Sequence, residues 1–160
     1  MEPKTPSESV STMTLVMQLA HANSAGFIHG GEIMKLVDTS AGVASMRHSN
    51  GRVVTVEVDS LTFLAPVHIG DLVTLTAIVT QAWRSSMEVE VRVWREDPRV
   101  GQREQTTTAY LTMVAVDEHG RPVPVPPLKA ETEEDARRQR EADVRREERM
   151  RIKKRLEANS

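Results

Sequence analysis

Residues 86–96, "SMEVEVRVWRE", alternate between apolar and polar side chains without a break. A period of two sets Met87, Val89, Val91 and Val93 on one side of an extended chain. Glu88, Glu90, Arg92 and Trp94 take the other side. The pattern recurs in "LVTLTAIVTQA" (72–82), where Val73, Leu75, Ala77 and Val79 interleave with threonines. In "RVVTVEVDSLTFL" (52–64), the alternation places Val54, Val56 and Val58 together. "QTTTAYLTMVAVDEHG" (105–120) supplies another long strand. The joins "APVHIGD" and "DPRVGQ" are short and hold Pro and Gly, so neighbouring strands should pair antiparallel. A sheet with one apolar face must cover it.

One segment can supply that cover. "FIHGGEIMKLVDTSAGVASMRH" (27–48) predicts a helix over about 29–48, and Asn and Gly in "HSNG" are suited to end it. Such a helix is roughly 30 Å long, enough to cross several strands spaced ~4.8 Å apart. A short strand in "TMTLVMQLA" and a turn-rich loop, "HANSAGFIHGG", precede it. The expected architecture is α+β: a curved antiparallel sheet wrapped around one long central helix.

Met34, Val37, Asp38, Ala41, Ala44 and Ser45 have the spacing of one helical stripe, expected to face inward. A carboxylate there would lose water and need a hydrogen-bond partner, or else serve as a base or nucleophile. Gly30 and Gly31 sit where first-turn N–H groups lack intrahelical partners, an arrangement able to hold an oxyanion. Asp38 lies roughly 10 Å further along the helix, so acid and glycines would meet across a dimer interface rather than within one chain.

Other features narrow the class. The chain has 160 residues, no cysteine and a net charge of −2. That excludes a disulfide scaffold and a thiolate nucleophile, and a cytoplasmic location is expected. Nucleic acid is not an expected partner, and no apolar run predicts membrane insertion. His21, His29 and His48 have no ligand spacing, so no metal is expected. There is no G-x-S-x-G, G-x-G-x-x-G or P-loop. Residues 1–10 are expected to be disordered, 11–128 to form the domain, and 129–160 to form a charged helical extension. That extension holds 11 Lys/Arg and 9 Asp/Glu and reads most simply as a solvated, projecting helix.

"HANSAGFIHGGEIMKLVDTSAG", with "VVTVEVDSLTFLAPVHIGD" and "AYLTMVAVDEHGRPVPVP" downstream, resembles the hotdog-fold acyl-CoA thioesterases. The similarity is greatest to the brain-type hydrolases and the small bacterial broad-specificity enzymes, and it covers about residues 12–128. The resemblance implies a hotdog fold, hydrolysis of acyl-CoA, no cofactor beyond the CoA of the substrate, and a homodimer assembled into a trimer of dimers. It implies that Asn23 and the partner's Asp38 are catalytic and that a helix-start N–H near Gly31 polarises the thioester carbonyl. Thr55 would face the acyl pocket, and Arg84, Ser85 and Ser86 would contact CoA. Arg47, Arg52 and Arg103 are weaker candidates for its phosphates. The rival reading is a non-catalytic acyl-CoA sensor with the charged tail as effector. A dehydratase is disfavoured, because its His/Asp loop motif is not reproduced.

Overall fold

A computed structural model describes the whole chain, Met1–Ser160. Five strands form one antiparallel sheet: β1 (Ser11–Val16), β2 (Arg52–Phe63), β3 (Leu72–Ala82), β4 (Ser86–Glu96) and β5 (Arg103–Val116). Their order is β1-β3-β4-β5-β2, so β1 and β2 are the open edges. Helix α1 (Gly30–Ser49) lies against the concave face, and α2 (Glu133–Ala158) follows the sheet in sequence. Asn50, in the left-handed conformation at φ 55°, ends α1 by donating its N–H to Met46 O.

The alternation in β3 and β4 holds. Val73, Leu75, Ala77 and Val79 pack with Met87, Val89, Val91 and Val93 in the core beneath α1. The helix meets them with Ile33, Val37, Ser40, Ala41, Ala44, Ser45 and His48. Four of these seven are Ser or Ala, which brings the helix axis close to the sheet.

Strand β2 departs from the expected parity. Register shifts lie between Thr55 and Glu57 and between Val58 and Ser60. Each inserts one unpaired residue, and one insertion exchanges the faces of all that follow. Val54 therefore shares the convex face with Val114, and Val58 the concave face with Leu111. The three valines do not form one row, and each remains about half exposed on the open edge.

The N-terminal residues are also placed differently from expectation. Lys4 bridges Leu128, with Lys4 N–H bonded to Pro127 O and Lys129 N–H to Lys4 O. Ser9 is fully buried, donating to Pro6 O and accepting from Val79 N–H. These are largely backbone bonds, which leave no hydrophobic pattern to read.

His48 closes the bottom of this core. It is fully buried; its Nε2 bonds Pro126 O at 2.7 Å, and Nδ1 has no partner. Burial holds its pKa below the ordinary 6.5, because a second ring proton would find no acceptor. A depressed histidine contributes stability that is full above 6.5 and is lost as pH falls through the folded value. Melting temperature should therefore drop between about pH 7.5 and about pH 5.5. His48→Gln should remove most of that difference in parallel melts.

Helix α2 does not simply project. Thr132 and Asp135 cap its start reciprocally. Gln139 and Asp143 bond Gln81 on β3, and Asp143 also accepts from Trp83 Nε1 at 3.0 Å. Arg145 grips the fully buried Glu88 of β4 through two bonds of 2.7 and 3.0 Å, and its guanidinium lies 3.8 Å from the Tyr110 ring of β5. Arg149 reaches Asp59 of β2 at 2.5 Å. The polar face of "SMEVEVRVWRE" does point outward, as its alternation predicts. Glu88 and Glu90 are nevertheless buried, because arginines cover them.

Candidate active site

Asp38 sits beside the inward stripe of α1. The buried row runs through Ile33, Val37, Ala41, Ala44 and His48, whereas Met34, Asp38, Gly42 and Met46 form the adjacent row at i, i+4 spacing. Met34 is 47% exposed and Met46 45%. A Cβ on Gly42 would meet nothing within 4 Å, so this glycine does not serve helix–sheet contact. Two rows about 100° apart share the same three-and-four spacing, and spacing alone assigned Met34 and Asp38 to the wrong one.

The acid has one partner in the chain. Thr55 Oγ1 donates to Asp38 Oδ1 at 2.6 Å, a short charge-assisted bond. Thr55 points to the concave side because it pairs with Met113, before the first bulge. The bond fixes one carboxylate oxygen and leaves Oδ2 open on the exposed flank of the helix.

Asn23 belongs to the loop that precedes α1. Its Oδ1 accepts from the N–H groups of Ala25 and Phe27, at 2.9 and 3.2 Å. Asn23 is exposed, and its side-chain NH₂ has no hydrogen-bond partner in the chain. No hydrogen bond joins Asn23 to Asp38. The loop is held by His29 N–H on His21 O and Ile28 N–H on Val67 O.

The helix start differs from expectation in one respect. The Gly31 N–H is occupied, because His29 Nδ1 accepts from it at 2.8 Å as the N-cap. The Gly30 N–H is the donor left without a partner there. A Cβ on Gly30 would come within 3.3 Å of the Phe63 ring, and one on Gly31 within 2.8 Å of His29. Phe27, Gly30, Ile33, Phe63, Leu64 and Val67 line an apolar groove beside this donor.

Arg84, Ser85 and Ser86 form the β3–β4 turn, bound through their carbonyls to Val125, Ala115 and Trp83. Ser86 pairs with Val114, which pairs with Val54, so the turn lies two strands from Thr55 and makes no bond to Asp38. No group of three or more His, Asp or Glu side chains converges at metal-ligand spacing. No helix is long and apolar enough to cross a membrane.

A helix clasped by an antiparallel sheet, with an aspartate on the open flank, can be compared with known proteins. The thioesterase superfamily profile matches residues 25–102. The chain is 37% identical to a solved apo-hexameric acyl-CoA thioesterase, with a TM-score of 0.91 over 95% of this chain and 97% of that one. The chain belongs to the thioesterase superfamily. The hotdog architecture expected from the sequence is the one this superfamily member adopts.

An acyl-CoA hydrolase from Staphylococcus aureus, solved with butyryl coenzyme A and coenzyme A, is 31% identical, with a TM-score of 0.87 over 98% of this chain and 96% of that one. Three further structures of that enzyme each carry one Asn, Asp or Thr changed to Ala. A Bacillus subtilis protein named as an acyl-CoA thioester hydrolase is 42% identical over 71% of this chain. The chain spans 66% of that relative's length, and 36% of the rat cytosolic acyl coenzyme A thioester hydrolase it also matches.

Proposed function

We propose that the protein hydrolyses acyl-CoA thioesters at a site shared by two chains. The observation that carries this reading is the Asp38–Thr55 pair on the exposed flank of α1. In the Staphylococcus aureus hydrolase, the substituted Asn, Asp and Thr follow one another at intervals of 15 and 17 residues. Asn23, Asp38 and Thr55 have the same order and the same intervals.

The roles follow from what each group has free. Asp38 Oδ2 takes a proton from water, or attacks the thioester carbonyl itself, while Thr55 holds Oδ1. The Gly30 N–H, next to the apolar groove, polarises the carbonyl, and Gly31 supports it by fixing the His29 cap. The Asn23 NH₂ orients the water or the carbonyl. As the C–O bond forms, the C–S bond breaks, and the water's proton leaves on the CoA thiol. A thiolate departs readily, so strong acid assistance is not required. Arg84, Ser85 and Ser86 contact the CoA portion.

Two chains are needed because of length. Eight residues separate Gly30 from Asp38, roughly 12 Å of helix. An antiparallel pairing of two β2 edges turns the Phe63 end of one strand toward the Thr55 end of the other. Gly30 of one chain, beside Phe63, and the Asn23 loop that leads into its helix then approach the other chain's Asp38. The same pairing covers Met34, Met46 and Val58. We infer a homodimer built this way, assembled further into a trimer of dimers.

The direct test is thiol release from an acyl-CoA series, read with a thiol reagent. The chain has no cysteine, so the reagent reports CoA alone. Tight CoA-ester binding without release would favour the sensor reading instead. Thr55→Val should lower kcat about 10-fold, with Thr55→Ser near wild type, because only the hydroxyl is needed. Equal loss in both variants would remove the hydrogen bond from the account.

A further inference from the structure

The face of α2 that meets the sheet continues beyond it. Asp135, Arg138, Ala142, Arg145, Arg149, Ile152 and Leu156 follow one another at alternating intervals of three and four, one stripe of the helix. Its first five members are buried or mostly covered, and they touch strands in order. Arg138 approaches Glu90 on β4, Arg145 holds Glu88 on β4 beneath Tyr110 of β5, and Arg149 holds Asp59 on β2. Strand β2 is the last strand of the sheet. Every residue from Met150 onward is exposed.

At this point the stripe changes chemistry. Over the chain's own sheet it is charged and pairs with buried carboxylates. Past the edge it becomes Ile152 and Leu156, 56% and 63% exposed. A solvated helix end has no reason to turn apolar on the one face aligned with the sheet. The segment 150–158 is roughly 13 Å long at 1.5 Å per residue, more than two strand spacings. It overhangs a cleft lined by Glu57, Asp59, Ser60 and Val144.

We propose that this overhang is a clamp for a second copy of the chain. The inference rests on the β2-edge dimer proposed above. When a second β2 extends the sheet, the space under Ile152 and Leu156 becomes the convex face of the second chain. A two-fold axis at the β2 pair sets the two α2 helices alongside one another in opposite directions. Each overhang then lies against the other chain's Val144, which is 59% exposed and faces the same cleft. Charge agrees with this placement. Residues 150–158 hold Arg151, Lys153, Lys154 and Arg155 against Glu157 alone, and the convex face of β2 presents Glu57, whose side chain is 52% exposed.

The lack of native cysteine makes the test clean. Full-length chains carrying only Leu156→Cys are mixed with differently tagged chains carrying only Val144→Cys, exchanged, and treated with a short bis-maleimide. In parallel, the dimer dissociation constant of Ile152→Gln/Leu156→Gln is measured by sedimentation. The clamp predicts a cross-link joining the two tags and a dissociation constant raised at least about 10-fold. A stable dimer with no such cross-link and an unchanged constant overturns the clamp and leaves the β2 dimer standing. Binding of anionic vesicles by wild type but not by the double variant, with the dimer unaffected, also overturns it and assigns the overhang to a lipid surface. A monomeric wild-type chain overturns both readings.

Discussion

Asp38→Asn is expected to lower kcat for acyl-CoA hydrolysis by about 10²–10⁴-fold, the contribution typical of a positioned base. Stability should change by no more than about 0.5 kcal/mol, because Asp38 lies on the surface of the single chain and has Thr55 as its one hydrogen-bond partner. Asn keeps one oxygen able to accept from Thr55, so the geometry at Oδ1 persists while an amide NH₂, neither basic nor nucleophilic, replaces the second oxygen. KM should consequently stay within a few-fold of wild type, since the acid acts in the transition state and not in holding substrate. Single-turnover measurements separate the two candidate roles of the carboxylate. A nucleophile passes through an acyl-enzyme that hydroxylamine can intercept, whereas a general base does not. Retention of full kcat in Asp38→Asn would remove Asp38 from the chemistry.

The second large effect concerns stability. Arg145→Met is expected to destabilise the protein by about 3 kcal/mol, because it strands the Glu88 carboxylate in a fully buried position. Arg149 stays 3.9 Å from the other Glu88 oxygen, and Arg145 is itself 25% exposed, which keeps the loss at the lower end for a broken buried pair. For a domain of this size that is a fall of roughly 6–12 °C in melting temperature. Glu88→Met/Arg145→Met should recover most of it, since apolar pairs of similar volume replace buried ion pairs at little cost. If the double variant melted as low as the single one, the stranded charge would not be the cause. Matched protein concentrations are needed in these melts, because assembly contributes to the midpoint.

These two residues show where the sequence could be read and where it could not. The alternation in β3 and β4 was legible because Leu72–Val79 and Met87–Val93 pair without an inserted residue, and the irregularity of β3, at Thr80, falls only after its alternating run. In β2 the two bulges exchange faces, and a bulge depends on the partner strand, which local periodicity does not contain. The outward direction of Glu88 and Glu90 was legible; their burial was not. Helix α2 covers them with guanidinium groups, so the usual apolar stripe that betrays a packed helix is missing. The recurrence of Arg138, Ala142, Arg145 and Arg149 at helical spacing is the signal that was available.

At the candidate site, the separation of Gly30 and Asp38 along α1 was legible from the helix itself, and the two-chain reading proposed above starts from it. Three points were not. Asp38 belongs to the row beside the buried one, and periodicity cannot choose between adjacent rows. Gly31 donates to His29, since a histidine just before a helix can cap it as Ser or Asp would. Thr55 bonds Asp38 directly instead of only lining an acyl pocket, a contact set by the parity of β2 ahead of its first bulge.

The central claim is that the site is made by two chains, and subunit mixing tests it most directly. Asn23→Ala and Asp38→Ala chains, each inactive alone, are dissociated together, reassembled and assayed for CoA release. In a mixed dimer, one site carries both substitutions and the other carries neither. Random pairing should therefore restore about a quarter of wild-type activity. If the mixture stays inactive while sedimentation confirms mixed dimers, Asn23 and Asp38 act within one chain, and the shared site is wrong.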